Sequence, residues 1–389
     1  MRIAMIDPLL DTLPYDRALV DALVKCGHDV LFCGRRLNDE KWDISSLTYQ
    51  ELPIDQPNPP VGAALIRLRI YWWSYHIAYF RSLIFAIRRA REFGAEVIHV
   101  QWMLVPLFYW ILMKSMGRRI GKVLTMHDTQ VSNGGHVQRV QTLGLEQALR
   151  MFDRIIVHTD AGAKRLLGRG IEPKKIVRIP HGLLSADSRV SVPLMSNQDE
   201  TVFLLFGLLK PYKGIDILIR AVSVMEPALR KHCRFVIAGK AAMEVDDLIS
   251  MARRHRVLHF FDFRVGFIPE DNLPSVLGAA DVFIFPYREI ETSGAFMLSL
   301  QYGKPIIASN IGAFSEMLRS GVHGVLVSPE DVLDLAQALE RLVKDKEFCR
   351  EAGLSVKRLA EGVSSWSEIA AMTVLEYRKL IDDGLVSQH

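Results

Sequence analysis

The stretch FGLLKPYKG, Phe206 to Gly214, has the make-up of a loop that holds an anion. It follows the apolar run Val202-Phe203-Leu204-Leu205-Phe206, which reads as a buried strand. It precedes IDILIRAVSVM, whose apolar residues recur at helical spacing. Gly207 permits close backbone approach to a ligand. Lys210 and Lys213 supply positive charge, and the helix after Gly214 turns its free N–H groups toward the loop. The chemistry is that of phosphate binding. The loop is neither GxGxxG nor GxxxxGK[ST], so neither a plain dinucleotide fingerprint nor a P-loop is present. A second stretch, PYREIETSGAFMLSLQYGKP from Pro286 to Pro305, follows the predicted strand Asp281 to Phe285. Ser293 and Gly294 open an apolar helix there and offer further N–H groups to an anion. Two such helix starts in one domain suit a diphosphate. Glu289 and Glu291, just before Thr292, can accept hydrogen bonds from sugar hydroxyls. Taken singly, a loop with solvated lysines and an ordinary capped helix show the same patterns.

The first half of the chain carries a different set. His127 and Asp128, in LTMHDTQ, lie just past a strand. Such a pair serves proton transfer or sugar contact; a structural histidine held by its neighbour fits the same residues. Asp7 ends the first strand, and Asp11 and Asp16 lie in or near the loop after it. A general base could lie among them, whereas Asp16 reads as a helix cap.

These residues must be positioned by regular elements. Short, nearly continuous apolar strands alternate with helices along the whole chain, which predicts an α/β protein of two parallel, doubly wound domains. Its 389 residues are natural for two domains. Residues 183–200, LLSADSRVSVPLMSNQDE, lose periodicity and read as the linker. The boundaries are then 1–182, 183–200, 201–365 and a last helix over 366–389. Cys26, Cys33, Cys233 and Cys349 show no paired spacing, which argues against a disulfide framework or a zinc site and fits a reducing cytosol. No secretory leader pattern and no apolar run of membrane-spanning length is visible.

Charge is divided unevenly. Residues 1–190 carry 26 Lys and Arg against 18 Asp and Glu, a net +8, and the remainder a net −4. Residues 61–122 hold ten basic side chains and only Glu92 and Glu96. Their core, RLRIYWWSYHIAYFRSLIFAIRRAR, interleaves Trp72 and Trp73 with Arg81, Arg88 and Arg89. A helix of this composition suits the headgroup layer of an anionic membrane; an amphipathic helix packed on its own domain shares the pattern. No nucleic-acid-binding module accompanies the basic residues.

The series FGLLKPYKGIDILIRA, FVIAGK, GFIPEDNLPSVLGAADVFIFPY, TSGAFMLSLQYGKPIIASNIGAFSEML and GVLVSPEDVLDLAQAL resembles the donor domain of glycosyltransferase family 4. IPHG before the linker and a final helix beginning SW are similar to that family too. The resemblance covers residues 180–389 strongly and the first half by pattern. It implies a GT-B architecture: two Rossmann-like domains facing a central cleft, with the last helix crossing back to the first domain. The N-terminal domain would bind the acceptor and the C-terminal domain a nucleotide-sugar. Gly207, Lys210, Lys213, Gly214, Ser293, Gly294 and Ala295 would hold the donor diphosphate. Glu289, Glu291, Thr292 and Phe267 would hold its sugar and nucleoside. No cofactor and no metal are implied, the nucleotide-sugar being a substrate.

The chain departs from the family in places. Leu208 stands where the family has Arg. Ile290 and Leu298 stand at its two Glu positions, with Glu289 and Glu291 flanking the first. Pro8-Leu9-Leu10 replaces its glycine pair. The family retains anomeric configuration; a free Asp in the first domain would permit inversion, Asp128 being the first candidate base and Asp11 the second. The expected function is transfer of a sugar from a UDP- or GDP-sugar to a lipid-linked saccharide in bacterial polysaccharide or glycolipid assembly. The expected location is the cytoplasmic face of the membrane. A GT-B nucleotide-sugar epimerase and a non-catalytic binding subunit are the alternatives.

Overall fold

The computed structural model describes residues 1–37, 42, 44–55, 65–117, 120–129, 143–184 and 200–386. They form two compact units, divided in sequence between Pro180 and His181 and again between Ser364 and Ser365. Most of the linker read at 183–200 lies outside the described residues.

The first unit is built on a seven-stranded parallel sheet. Its strands are β1 (Arg2–Asp7), β2 (Asp29–Gly34), β3 (Leu47–Glu51), β4 (Val97–Val100), β5 (Gly121–Met126), β6 (Arg154–Val157) and β7 (Ile176–Arg178). They lie in the order β3-β2-β1-β4-β5-β6-β7. The inner strands are apolar because helices cover both faces, leaving no side of the strand to water. β3, LTYQE, is an edge strand whose residues are half-buried or exposed. Apolar runs alone do not reveal such a strand, because an edge strand does not need a continuous one.

The 29-residue helix Leu65–Phe93 buries Tyr75, Tyr79, Ser82, Leu83, Ala86, Ile87 and Ala90 along one stripe. Their spacing is that of a helix face laid on a sheet. The chain returns to this unit at Ser365. The helix Trp366–Val386 buries Ile369, Ala370 and Tyr377, and Arg154 on β6 pairs with its Glu376 at 3.0 Å. His99 on β4 joins Tyr377 Oη at 2.6 Å and Thr125 Oγ1 at 2.7 Å. Burial pushes His99 down to about 3, so it serves as a neutral bridge.

The second unit repeats the plan with six parallel strands. These are β8 (Thr201–Phe206), β9 (Cys233–Gly239), β10 (Phe261–Val265), β11 (Val282–Phe285), β12 (Ile306–Ser309) and β13 (Gly324–Val327), in the order β10-β9-β8-β11-β12-β13. The helices Ile215–Val224 and Val332–Lys344 pack together over this sheet through Ile217, Leu218, Ala221, Leu335, Leu339 and Leu342. Burying each such leucine or isoleucine contributes about 1.5–3 kcal/mol.

In both sheets the chain leaves the first strand toward one side and later returns to its other side. That reversal, at β1/β4 and at β8/β11, opens a crevice at the carboxyl ends of the strands, where α/β sheets bind ligands.

Candidate functional site

In the second unit the glycine loop and the 293–295 segment come together. Gly207 follows β8 with φ +100°, and a Cβ there would stand 3.1 Å from Lys213 Nζ and 3.5 Å from Ala295 Cβ. The turn Pro211–Lys213 leads through Gly214, at φ +69°, into the helix Ile215–Val224. Lys213 is 3% exposed, and its Nζ donates to the Phe206 carbonyl and to Tyr287 Oη, both at 2.8 Å. A side-chain hydrogen bond joins Tyr287 to Ser293, whose Oγ accepts from the Phe296 N–H at 3.3 Å. One chain of polar groups thus runs from the end of β8 to the start of the helix Gly294–Ser299.

Tyr287 escaped the sequence reading. The available signal was a tyrosine closing the apolar run FIFPY, since a buried phenol needs a polar partner for its tip. Burial, with help from Lys210, pushes Lys213 down to about 7. Lys213 thus changes charge near neutrality, and an arriving diphosphate would draw a proton onto it.

Arg288 is the second residue that sequence reasoning missed. Its guanidinium grips Asp216 with two bonds, at 2.9 and 2.6 Å. It also donates to the Pro211 carbonyl at 2.9 Å and to Glu330 at 2.8 Å. It therefore clamps the turn that carries Lys213. Leu208 is exposed, and Lys210 is half-buried near Lys213. Glu291 is fully buried, while Glu289 and Thr292 are half-buried. The Ala313 N–H bonds the Glu291 carbonyl at 2.9 Å, and Gly312 packs against the backbone of Ile290 and Glu291. Gly266 donates to the Gly239 carbonyl at 3.0 Å, and Gly239 in turn packs on Gly207. Phe267, 77% exposed, follows on that same carboxyl edge of the sheet.

In the first unit the strand ends present Asp7 (β1), Gln101 (β4), His127 (β5) and His158 (β6), all buried. His158 Nδ1 lies 2.9 Å from the Ile179 carbonyl, which can only accept, so Nδ1 carries the hydrogen. Burial pushes His158 down to about 4, which keeps it neutral and leaves Nε2 as an acceptor. His127 Nδ1, 3.2 Å away, must then donate to it. In the neutral ring this leaves the lone pair of His127 on Nε2. Tyr15 meets the His127 ring edge-on at 4.6 Å, and Trp102 stacks on it at 6.1 Å. Asp128 is half-buried beside it, and Asp11 is exposed.

Asp16 is not a helix cap. Thr12 holds the N-cap position of the helix Leu13–Lys25, and Asp16 is fully buried within its first turn. Thr12 bonds Asp7 Oδ2 through its N–H at 3.1 Å, and its hydroxyl reaches Asp16 Oδ2 at 3.2 Å. As two carboxylates, Asp7 and Asp16 would each bury an Oδ1 without a hydrogen-bond partner. A proton on Asp16, donated to Asp7, satisfies both. Burial and the charge of Asp7 push Asp16 well above the usual carboxyl range. The loop above the pair buries Leu9 and Leu10, the latter at φ +57°.

A shared proton has a stability consequence. With the folded pKa raised, the unfolded chain ionises first as pH rises past about 4, so stability is lost from there toward the folded pKa. Asp16→Asn keeps a donor for Asp7 and has no proton to lose. Its Tm relative to wild type should climb as pH rises above about 4. A difference that stays flat would mean the two acids share no proton.

The basic aromatic helix is mixed in exposure. Trp72 is half-buried against the core, whereas Trp73 is 73% exposed, with Ile77, Ile84 and Phe85 exposed along the same helix. Arg81 is exposed, while Arg88 and Arg89 pair with Glu92 at 3.0 and 2.6 Å. No helix among the described residues is long and apolar enough to cross a membrane.

Comparison with known proteins decides the family. Residues 14–182 match the glycosyl transferase 4-like domain, and residues 200–345 match glycosyl transferases group 1. The chain belongs to the family 4-like glycosyltransferases of the GT-B superfamily. A D-inositol 3-phosphate glycosyltransferase of Actinosynnema mirum is 29% identical over 224 residues, 52% of this chain and 52% of that protein. The chain thus spans about half the length of the curated relatives it matches. Sucrose-phosphate synthase from Thermosynechococcus elongatus superposes on this family member with a TM-score of 0.73 at 19% identity, covering 98% of this chain and 100% of that one. HepE of Anabaena, in complex with UDP and glucose, gives 0.71 at 17% identity, covering 97% and 100%. These likenesses establish the GT-B fold of the chain.

Proposed function

We propose that this glycosyltransferase moves a hexose from a UDP- or GDP-sugar to a lipid-linked saccharide, as a peripheral enzyme at a membrane surface in polysaccharide or glycolipid assembly. The observation that carries the donor reading is the polar chain from Phe206 through Lys213 and Tyr287 to Ser293. It joins the two anion-accepting segments into one place for a diphosphate. The UDP and glucose held by HepE support the donor class.

The leaving diphosphate gains negative charge as the glycosidic bond breaks. Lys210, Lys213 and the N–H groups at Gly214 and at Ser293 to Ala295 stabilise that charge in a site partly shielded from water. This provision lets the enzyme work without a metal ion. Glu289, Glu291 and Thr292 face the sugar, and Phe267 offers a ring for the base. His127 would offer its Nε2 lone pair to an acceptor hydroxyl. Asp128 is the first candidate for taking the acceptor proton and Asp11 the second, should the reaction invert configuration. Trp73, Ile77, Ile84 and Phe85, with Arg81 and Arg88 among them, would rest in the headgroup layer.

Leu208, Ile290 and Leu298 in place of charged family residues favour one other reading, a binding subunit without turnover. A screen of UDP-, GDP- and dTDP-sugars, scored by nucleoside diphosphate release with and without a lipid-linked acceptor, separates the two. Acceptor-dependent release from one donor is expected. Nucleotide binding without release would leave the binding subunit, and conversion of donor without acceptor would indicate an epimerase.

A further inference from the structure

The amino ends of β9 and β10 form the edge of the second sheet opposite the candidate donor site. β9 runs seven residues, so the two edges are roughly 20 Å apart. Here the helix Asp246–Arg254 ends in Arg253 and Arg254 and continues through His255 and Arg256 to the turn Leu258–Phe260. Arg253, Arg256, Leu258 and His259 line an open groove of about 510 Å³. Arg253, Arg254, His255, Arg256 and His259 are exposed, as is Lys231 just before β9. Among the described residues, no ion pair engages Lys231, Arg253, Arg254 or Arg256. Arg234, by contrast, donates to the His259 carbonyl at 3.3 Å, and Arg230 stacks on Phe260 at 5.4 Å. Those two hold the groove wall in place.

Arg256 adds a backbone observation. It sits at φ +58°, and the N–H of Val257 closes the helix on the Ala252 carbonyl at 3.0 Å. A left-handed residue at this place in a helix end is usually glycine or asparagine. Arginine is strained there, and nothing in the packing requires its side chain. Strain kept at an exposed arginine, beside two more without counter-ions, is an outlier from which a binding role can be inferred.

We propose that this groove is a second anion site, taking a ligand that bears a phosphodiester or diphosphate group. Guanidinium forks match the oxygens of a phosphate bidentately, and Leu258 gives an apolar floor to the organic part of such a ligand. The phosphate can belong to a free nucleotide-like anion or to a lipid headgroup, and the test distinguishes these.

Pyrophosphate is titrated calorimetrically into wild type, the double variant Arg253→Gln/Arg256→Gly, and Lys213→Met. Flotation with phosphatidylglycerol vesicles, and with phosphatidylcholine vesicles alone, is measured for the same proteins. For a free anion, the double variant should lose at least tenfold in affinity at a second pyrophosphate site, whereas Lys213→Met should lose only the donor-site component. For a headgroup, it should lose flotation specific to phosphatidylglycerol. Arg256→Gly alone should melt above wild type, because it relieves the left-handed strain. Unchanged behaviour of the double variant in both assays, or a lower melting temperature for Arg256→Gly, overturns the proposal.

Discussion

Replacing Lys213 by methionine should weaken UDP or GDP binding by about 1–3 kcal/mol, roughly five- to 150-fold in Kd. Methionine is close to lysine in shape and is tolerated in a buried position, so the change removes the ammonium with little disturbance of packing. The Lys213 ammonium donates to Phe206 and Tyr287 and stands over Gly207, at the carboxyl end of β8. The pH dependence is the sharper test. The free protein holds Lys213 at about 7, below its ordinary value because of burial. A bound diphosphate favours the protonated form and raises that value. Between the two, binding takes up one proton, and Kd weakens by about tenfold per pH unit as pH rises above 7. Calorimetry at several pH values should show this slope in wild type and its absence in Lys213→Met. Equal affinity and equal slope in the two proteins would remove Lys213 from the diphosphate site.

Gly214→Ala should lower stability by about 3 kcal/mol or more, combining left-handed strain with a backbone collision. Gly214 has φ +69°, and a Cβ would run into the Pro286 carbonyl oxygen. That oxygen belongs to the segment carrying Tyr287 and Arg288, so relief must come from moving the two halves of the site apart. Tm should fall by roughly 6–12 °C for a unit of this size, with a parallel loss of nucleotide affinity. Gly266→Ala is the matched control, because a Cβ there meets nothing within 4 Å. A Gly214→Ala protein that melts with wild type would contradict the close approach described for this turn.

The opening loop and the 293–295 segment were legible because their signals are local. A glycine after an apolar run, lysines in the turn and a small residue at a helix start lie within a few positions of one another. His127 and Asp128 were legible as candidates for the same reason: they follow a strand directly. Leu208 also showed by sequence that the usual arginine is missing. Arg288 is not its replacement, since its guanidinium is committed to Asp216, Pro211 and Glu330. The capping role read for Asp16 failed because an acid near a helix start looks alike whether it faces the helix end or the core. Thr12 took the cap position, and Asp16 turned inward to Asp7.

By itself the amino-acid sequence determined the two alternating α/β units, and it named the carboxyl strand ends and the two glycine-containing segments as candidates for ligand binding. Apolar periodicity and turn chemistry act over a few residues, and those features depend on nothing further. Tertiary structure alone decided which side chains pair. Lys213 meets Tyr287 across 74 positions, and His158 sets the tautomer of His127 across 31. Parallel strands joined by crossover helices bring such distant residues to one edge, and burial there fixes their protonation. That is why Lys213 could be named from its loop, while its proton near neutrality, its tyrosine partner and the clamp at Arg288 came only from the folded chain.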